Sequence, residues 1–203
     1  MHLYNLGKIN RTFFNIQNTR IVNFITNIKQ KIGYYILRKN IKNSKRKKAF
    51  FNFDSAKTVG IIFDASHQDS YLIAKSFMAN LDKKNIKVEA VGYVKTKEAI
   101  SYFPHHEGIF FFSIKEANWY FKPSYQEIIE YSKKSFDILI DLSMSDLLQI
   151  KFIIGLSNAR LKIGRGAENQ EFYDIIINVD QNKSLKEFID LINHYMSVLK
   201  NSK

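Results

Sequence analysis

The sequence predicts an α/β protein: a doubly wound, mostly parallel sheet of five or six strands, preceded by a basic amphipathic helix. Three observations predict it. From Thr58 onward, short unbroken apolar runs alternate with segments of helical periodicity. Strands that are apolar on both faces belong to parallel sheets covered by right-handed crossover helices on both sides. The 203 residues, 45% hydrophobic and 14% aromatic, suffice for one packed domain with an appendage and exclude wholesale disorder. Finally, the charge is lopsided: residues 1–53 carry twelve Lys and Arg and no acid, so the whole net charge of +12 belongs to them and the remainder is formally neutral. The expected division is a basic helix and linker over 1–53 and an α/β domain over 54–203.

Taken in order, Ile21, Ile25, Ile28, Ile32, Tyr35 and Ile36 recur at three- and four-residue steps, with Val22 and Phe24 at the margins. This spacing predicts an amphipathic helix from about Asn18 to about Lys39. The run Asn40 to Lys48 lacks apolar periodicity and reads as an exposed, mobile basic linker. Strands are expected at Thr58–Asp64, Val88–Val94, Gly108–Phe112, Phe136–Leu142, Leu161–Gly164 and Tyr173–Val179. Helices are expected at Ser70–Lys84, Ser124–Lys134, Ser145–Asn158 and Ser184–Leu199. Ser124, three residues before Glu127, has the spacing of a helix cap.

Composition also narrows the chemistry. With no cysteine, disulfides, thiolate metal sites and cysteine nucleophiles are excluded. The first strand is followed by neither a dinucleotide-binding glycine pattern nor a phosphate-cradling loop with lysine, so no cofactor is expected. In doubly wound sheets ligands meet the crevice beyond the carboxyl ends of the strands. Asp64 and Asp141 end two strands there and are the candidate crevice ligands, close enough in principle to hold a magnesium ion; the ordinary role of aspartate at a strand end is to cap the helix or turn that follows. No metal site is expected, since His105, His106 and Glu107 are consecutive and no spaced third ligand accompanies them. Ser66 and His67 beside Asp64 lack the glycine-flanked turn of a hydrolase nucleophile. Trp119-Tyr120-Phe121-Lys122 reads as a loop anchored in the core, or, if exposed, as a base-stacking group.

The runs Phe136–Ser143, Leu156–Arg165, Tyr173–Asn178 and His194–Met196, with Asn118-Trp119, Lys122-Pro123 and the opening Val59–Asp64, resemble a family of uncharacterised bacterial proteins over about Lys57 to Met196. That resemblance implies no activity and no catalytic residues. The Asp137–Leu142 and Ala159–Gly164 runs bear a fainter resemblance to the N-terminal half of heptosyltransferase-like glycosyltransferases. It implies a Rossmann/flavodoxin-like fold but not the activity, which needs a second such domain to bind the nucleotide-sugar.

The functional expectation follows from the charge. An acid-free cationic segment attracts polyanions. The expected function is non-enzymatic binding of RNA or a ribosomal particle in the cytoplasm, with Arg38, Lys39, Lys42, Lys45, Arg46, Lys47 and Lys48 as principal contacts. Arg160, Lys162 and Arg165, beside Gly164 and Gly166, form a second candidate phosphate cluster, or ordinary surface charge. One alternative lays the helix on an anionic membrane, assisted by Phe13, Phe14 and Phe24; polar residues between Asn23 and Lys31 interrupt it too often for a span, and no secretory signal is evident. An organellar transit peptide would share its acid-free amphipathic character. Another alternative uses the crevice for small-molecule chemistry. The apolar stripe could also pack on the protein's own sheet or on a second copy.

Overall fold

Each central strand supplies side chains to two cores at once, which explains why its apolar run does not alternate. A computed structural model of the chain describes residues 3–104, 106–166, 170–180 and 183–199, with the backbone alone for residues 3–19 and 170. The strands are β1 (Thr58–Asp64), β2 (Lys87–Val94), β3 (Ile109–Ser113), β4 (Ile138–Asp141), β5 (Leu161–Arg165) and β6 (Ile175–Ile177). They form one six-stranded sheet in the order β3-β2-β1-β4-β5-β6, every neighbouring pair parallel. The helices are α1 (Leu3–Lys42), α2 (Gln68–Asp82), α3 (Gln126–Lys133), α4 (Leu148–Leu156) and α5 (Leu185–Val198). The order reverses between β1 and β4, which gives a doubly wound, Rossmann-like sheet with its switch point beyond Asp64 and Asp141.

Val59, Ile61 and Phe63 of β1 pack with Ile138, Ile140, α2 and α5 on one face of the sheet. Ile62, Val91, Leu139 and Phe112 pack with α3, α4 and Leu37 of α1 on the other. Gly60 leaves the space in which Tyr131 of α3 lies; a Cβ there would stand 2.8 Å from its hydroxyl, which donates to the backbone carbonyl of Ile61 at 3.0 Å. Ser184 and Glu187 form a reciprocal cap at the start of α5. The cap expected of Ser124 does not form. α3 starts after Tyr125, and the Ser124 hydroxyl donates instead to the carbonyl of Glu116, holding the preceding loop.

α1 is longer than its periodicity predicts and packs through a different face. Its body-facing ridge is Gly33, Tyr34, Leu37 and Ile41. A Cβ on Gly33 would lie 2.5 Å from the carbonyl oxygen of Tyr120, and one on Gly155 of α4 would lie 2.8 Å from both Leu37 and Ile41. Glycine on each helix thus lets the two approach closely. The stripe that periodicity marks is not used for this packing: Ile21, Ile25, Ile28 and Tyr35 are exposed, Tyr35 by 68%.

The linker is also corrected in part. It does not float free: Ala49 donates its N–H to the carbonyl of Arg160 at 3.1 Å, and the Arg46 side chain is nearly buried. Lys45, Lys47 and Lys48 remain exposed along it.

Candidate functional site

At the amino edge of the sheet, the chain leaving α1 is pinned by one carboxylate. Asp174, just before β6, receives Arg46 in two hydrogen bonds of 2.7 Å, one to each oxygen. This planar two-point match is the strongest arginine–carboxylate geometry. Arg46 also donates to the carbonyl of Ala159 at 2.9 Å, Lys48 lies 3.0 Å from Asp174, and the N–H of Lys162 donates to it at 2.9 Å. Burial pushes the Asp174 carboxyl up, but Arg46, Lys48 and the Lys162 N–H outweigh it and hold the group below the usual carboxylate value.

This anchor leaves the neighbouring cations facing outward. Lys45, Arg46, Lys47, Ser135, Asn158 and Arg160 line an open groove of about 550 Å³ with no carboxylate residue in its lining. Arg160 is braced from beneath, its guanidinium carbon 4.5 Å from the centre of the Phe51 ring and its Nη1 3.4 Å from Asp137 Oδ1. Phe50, beside Phe51 in the chain, is exposed. Lysines and an arginine bind phosphate, Asn and Ser offer further hydrogen bonds, and an exposed aromatic ring can stack a base.

Other expected contacts are placed differently. Lys162 is buried, and its ammonium donates to the carbonyl of Gly155 at 3.1 Å. Burial, with Arg46 nearby, pulls its pKa down to about 7 against the attraction of Asp174. It cannot grip a phosphate at the surface. Arg165, at the opposite edge from Arg160, donates to the carbonyl of Met144 at 2.6 Å, so the three cations expected as a cluster are dispersed along β5. Arg38 pairs with Glu171 at 2.8 Å, while Lys39 and Lys42 are exposed on α1.

At the carboxyl edge the two candidate aspartates diverge. Asp64 accepts the Ser66 N–H at 2.9 Å and the Ser145 hydroxyl at 3.0 Å, bracing the switch-point loops. Asp141 is buried and turned inward. It accepts the N–H and hydroxyl of Ser143 and, at 2.5 Å, the hydroxyl of Tyr173. Lys151 of α4 donates to Tyr173 at 2.7 Å and stands 3.7 Å from Asp141 and 3.6 Å from Asp146. Tyr34 of α1 donates to Asp146 at 3.3 Å. Burial and the adjacent Asp141 carboxylate raise the Tyr173 hydroxyl far above its ordinary value. Gly164 makes this cluster possible, since a Cβ there would lie 2.2 Å from the Tyr173 ring. The result is a satisfied internal network that ties α1, α4 and β4 together, and it does not present Asp141 to the crevice.

Among the described residues no group of three His, Asp or Glu could hold a metal ion. His105 lies outside the described residues, as do the side chains of Phe13 and Phe14. Trp119, expected to anchor in the core, is 58% exposed; the loop is held by Tyr120, whose ring packs against Phe152. Sequence reasoning missed Asp174, Lys151 and Tyr173. The available signal was a lysine within the otherwise apolar run Ile150–Ile154, a polar group that must find a partner once its helix is covered.

Compared with known protein families, residues 29–199 match the Family of unknown function (DUF6913). The match starts within α1, four residues before Gly33, where the helix meets the body. A comparison with curated proteins finds no match.

Proposed function

Since the chain belongs to the DUF6913 family, whose description assigns no activity, we propose from its geometry that the protein binds RNA along the cationic groove at the amino edge of the sheet. The observation that carries this reading is the acid-free lining of Lys45, Arg46, Lys47 and Arg160. The ion pair with Asp174 fixes the path of the linker and leaves Lys45 and Lys47 to meet phosphates. Asn158 and Ser135 are within the same groove for sugar or phosphate contacts, and exposed Phe50 adds a stacking surface. The role needs no catalysis. The body supplies a rigid frame, and binding rests on counterion release from the phosphate backbone.

The test is fluorescence anisotropy with a labelled RNA stem–loop between 50 and 200 mM salt. Affinity falls steeply over that range, and the double variant K45A/K47A, altered only at exposed side chains, binds roughly ten-fold or more weakly with a salt slope shallower by about two. Full affinity in the double variant, or binding indifferent to salt, contradicts the assignment.

A further inference from the structure

α1 has apolar residues on two opposite sides, and the fold uses only one. With about 100° of rotation per residue, Gly33, Leu37 and Ile41 fall on one side, where they meet α4. Ile21, Phe24, Ile25, Ile28 and Tyr35 fall about half a turn away, all exposed, Phe24 by 67%. Arg20 and Lys31 flank this outward stripe on one side and Lys29 on the other, with Lys39 and Lys42 continuing it toward the linker. Soluble monomers rarely leave contiguous apolar surface of this kind uncovered.

Charge decides what covers it. A second copy would oppose one cationic flank with another, because residues 1–53 offer no acid for pairing across the seam. RNA supplies phosphates but no apolar layer for isoleucines to enter. An anionic lipid surface supplies both, apolar chains beneath a negative headgroup layer. Among the described residues no helix is long and apolar enough to cross a membrane, which fits a helix lying flat rather than spanning. We infer that the outward face of α1, built on Ile21, Phe24, Ile25 and Ile28, docks the protein on an anionic membrane surface. This surface is separate from the groove at Lys45 and Lys47, so the two interactions stand or fall independently.

Co-sedimentation of the full chain with phosphatidylglycerol and phosphatidylcholine vesicles tests the inference, alongside the variants F24S/I25S/I28S and K45A/K47A. The wild type binds phosphatidylglycerol vesicles and is released by salt, and phosphatidylcholine vesicles leave it in solution. The stripe variant, with unchanged circular dichroism, loses at least ten-fold in partitioning while its RNA affinity is unaltered; K45A/K47A retains most of its vesicle binding. Equal partitioning of the stripe variant overturns the inference. So does a wild-type dimer that the stripe variant splits while neither form binds vesicles. Loss of RNA binding by the wild type would sink the groove assignment and leave the vesicle result untouched.

Discussion

The two faces of α1 carry similar residues and have different fates. Leu37 is fully buried beneath α4, whereas Phe24 and Ile25, a few turns earlier, face solvent. Hydrophobicity alone does not separate them. What separates them is the glycine: Gly33 opposite Tyr120 and Leu148, and Gly155 opposite Leu37 and Ile41, permit a close approach on one side only. The body-facing ridge therefore belongs to folding, and the outward stripe stays exposed.

Removing the anchor that continues the ridge into the linker is the largest expected disturbance. Asp174→Ala leaves nearly buried Arg46 without its carboxylate, and urea denaturation should show a loss of about 3–5 kcal/mol, in the range for breaking a buried ion pair from one side. Sign and pH follow from the lowered Asp174 carboxyl. Its stabilisation is fully present above the unfolded value near 4 and is lost as the pH falls through the lower, folded value, so the variant and wild type converge in acid. Leu37→Ala tests the ridge itself, with an expected cost of about 2–5 kcal/mol from the lost contacts and the cavity left behind. Gly33→Val, which drives methyl groups toward the Tyr120 carbonyl, should cost about 1–3 kcal/mol and release α1 from the body, visible as faster amide exchange over residues 33–42.

Much of this architecture is legible in the sequence. All six strands lie where unbroken apolar runs predict them, and α5 occupies the stretch expected as the last helix. The periodic stripe on α1 is also real. Its role was not legible, because which face packs depends on Gly155 across the interface, more than a hundred residues away. The charged network was hidden for a related reason. Tyr173 and Asp174 sit side by side in the chain yet serve opposite edges of the sheet, Tyr173 meeting Asp141 and Asp174 holding Arg46. Nothing in their local spacing states that Gly164 clears the path for the first.

Smaller effects sharpen the comparison. Lys162 is held down to about pKa 7 in the folded protein, against an unfolded value near 10.4. Between those values the unfolded chain binds more protons, so this residue makes stability rise with pH from about 7 to about 10. Lys162→Met should flatten that rise in thermal melts. At the bottom of the scale, Ile25→Ser on the exposed stripe should move stability by no more than about 0.5 kcal/mol, in contrast to Leu37→Ala on the same helix.

The most direct measurement uses the absence of cysteine in the chain. An environment-sensitive fluorophore such as acrylodan is attached to Ile25→Cys on the outward stripe and, separately, to Gln30→Cys on the other side of α1. With phosphatidylglycerol vesicles, the label at position 25 should shift strongly to the blue and the label at position 30 should barely move. Equal shifts at both positions, or none at either, would contradict a helix whose outward face is built for an anionic surface.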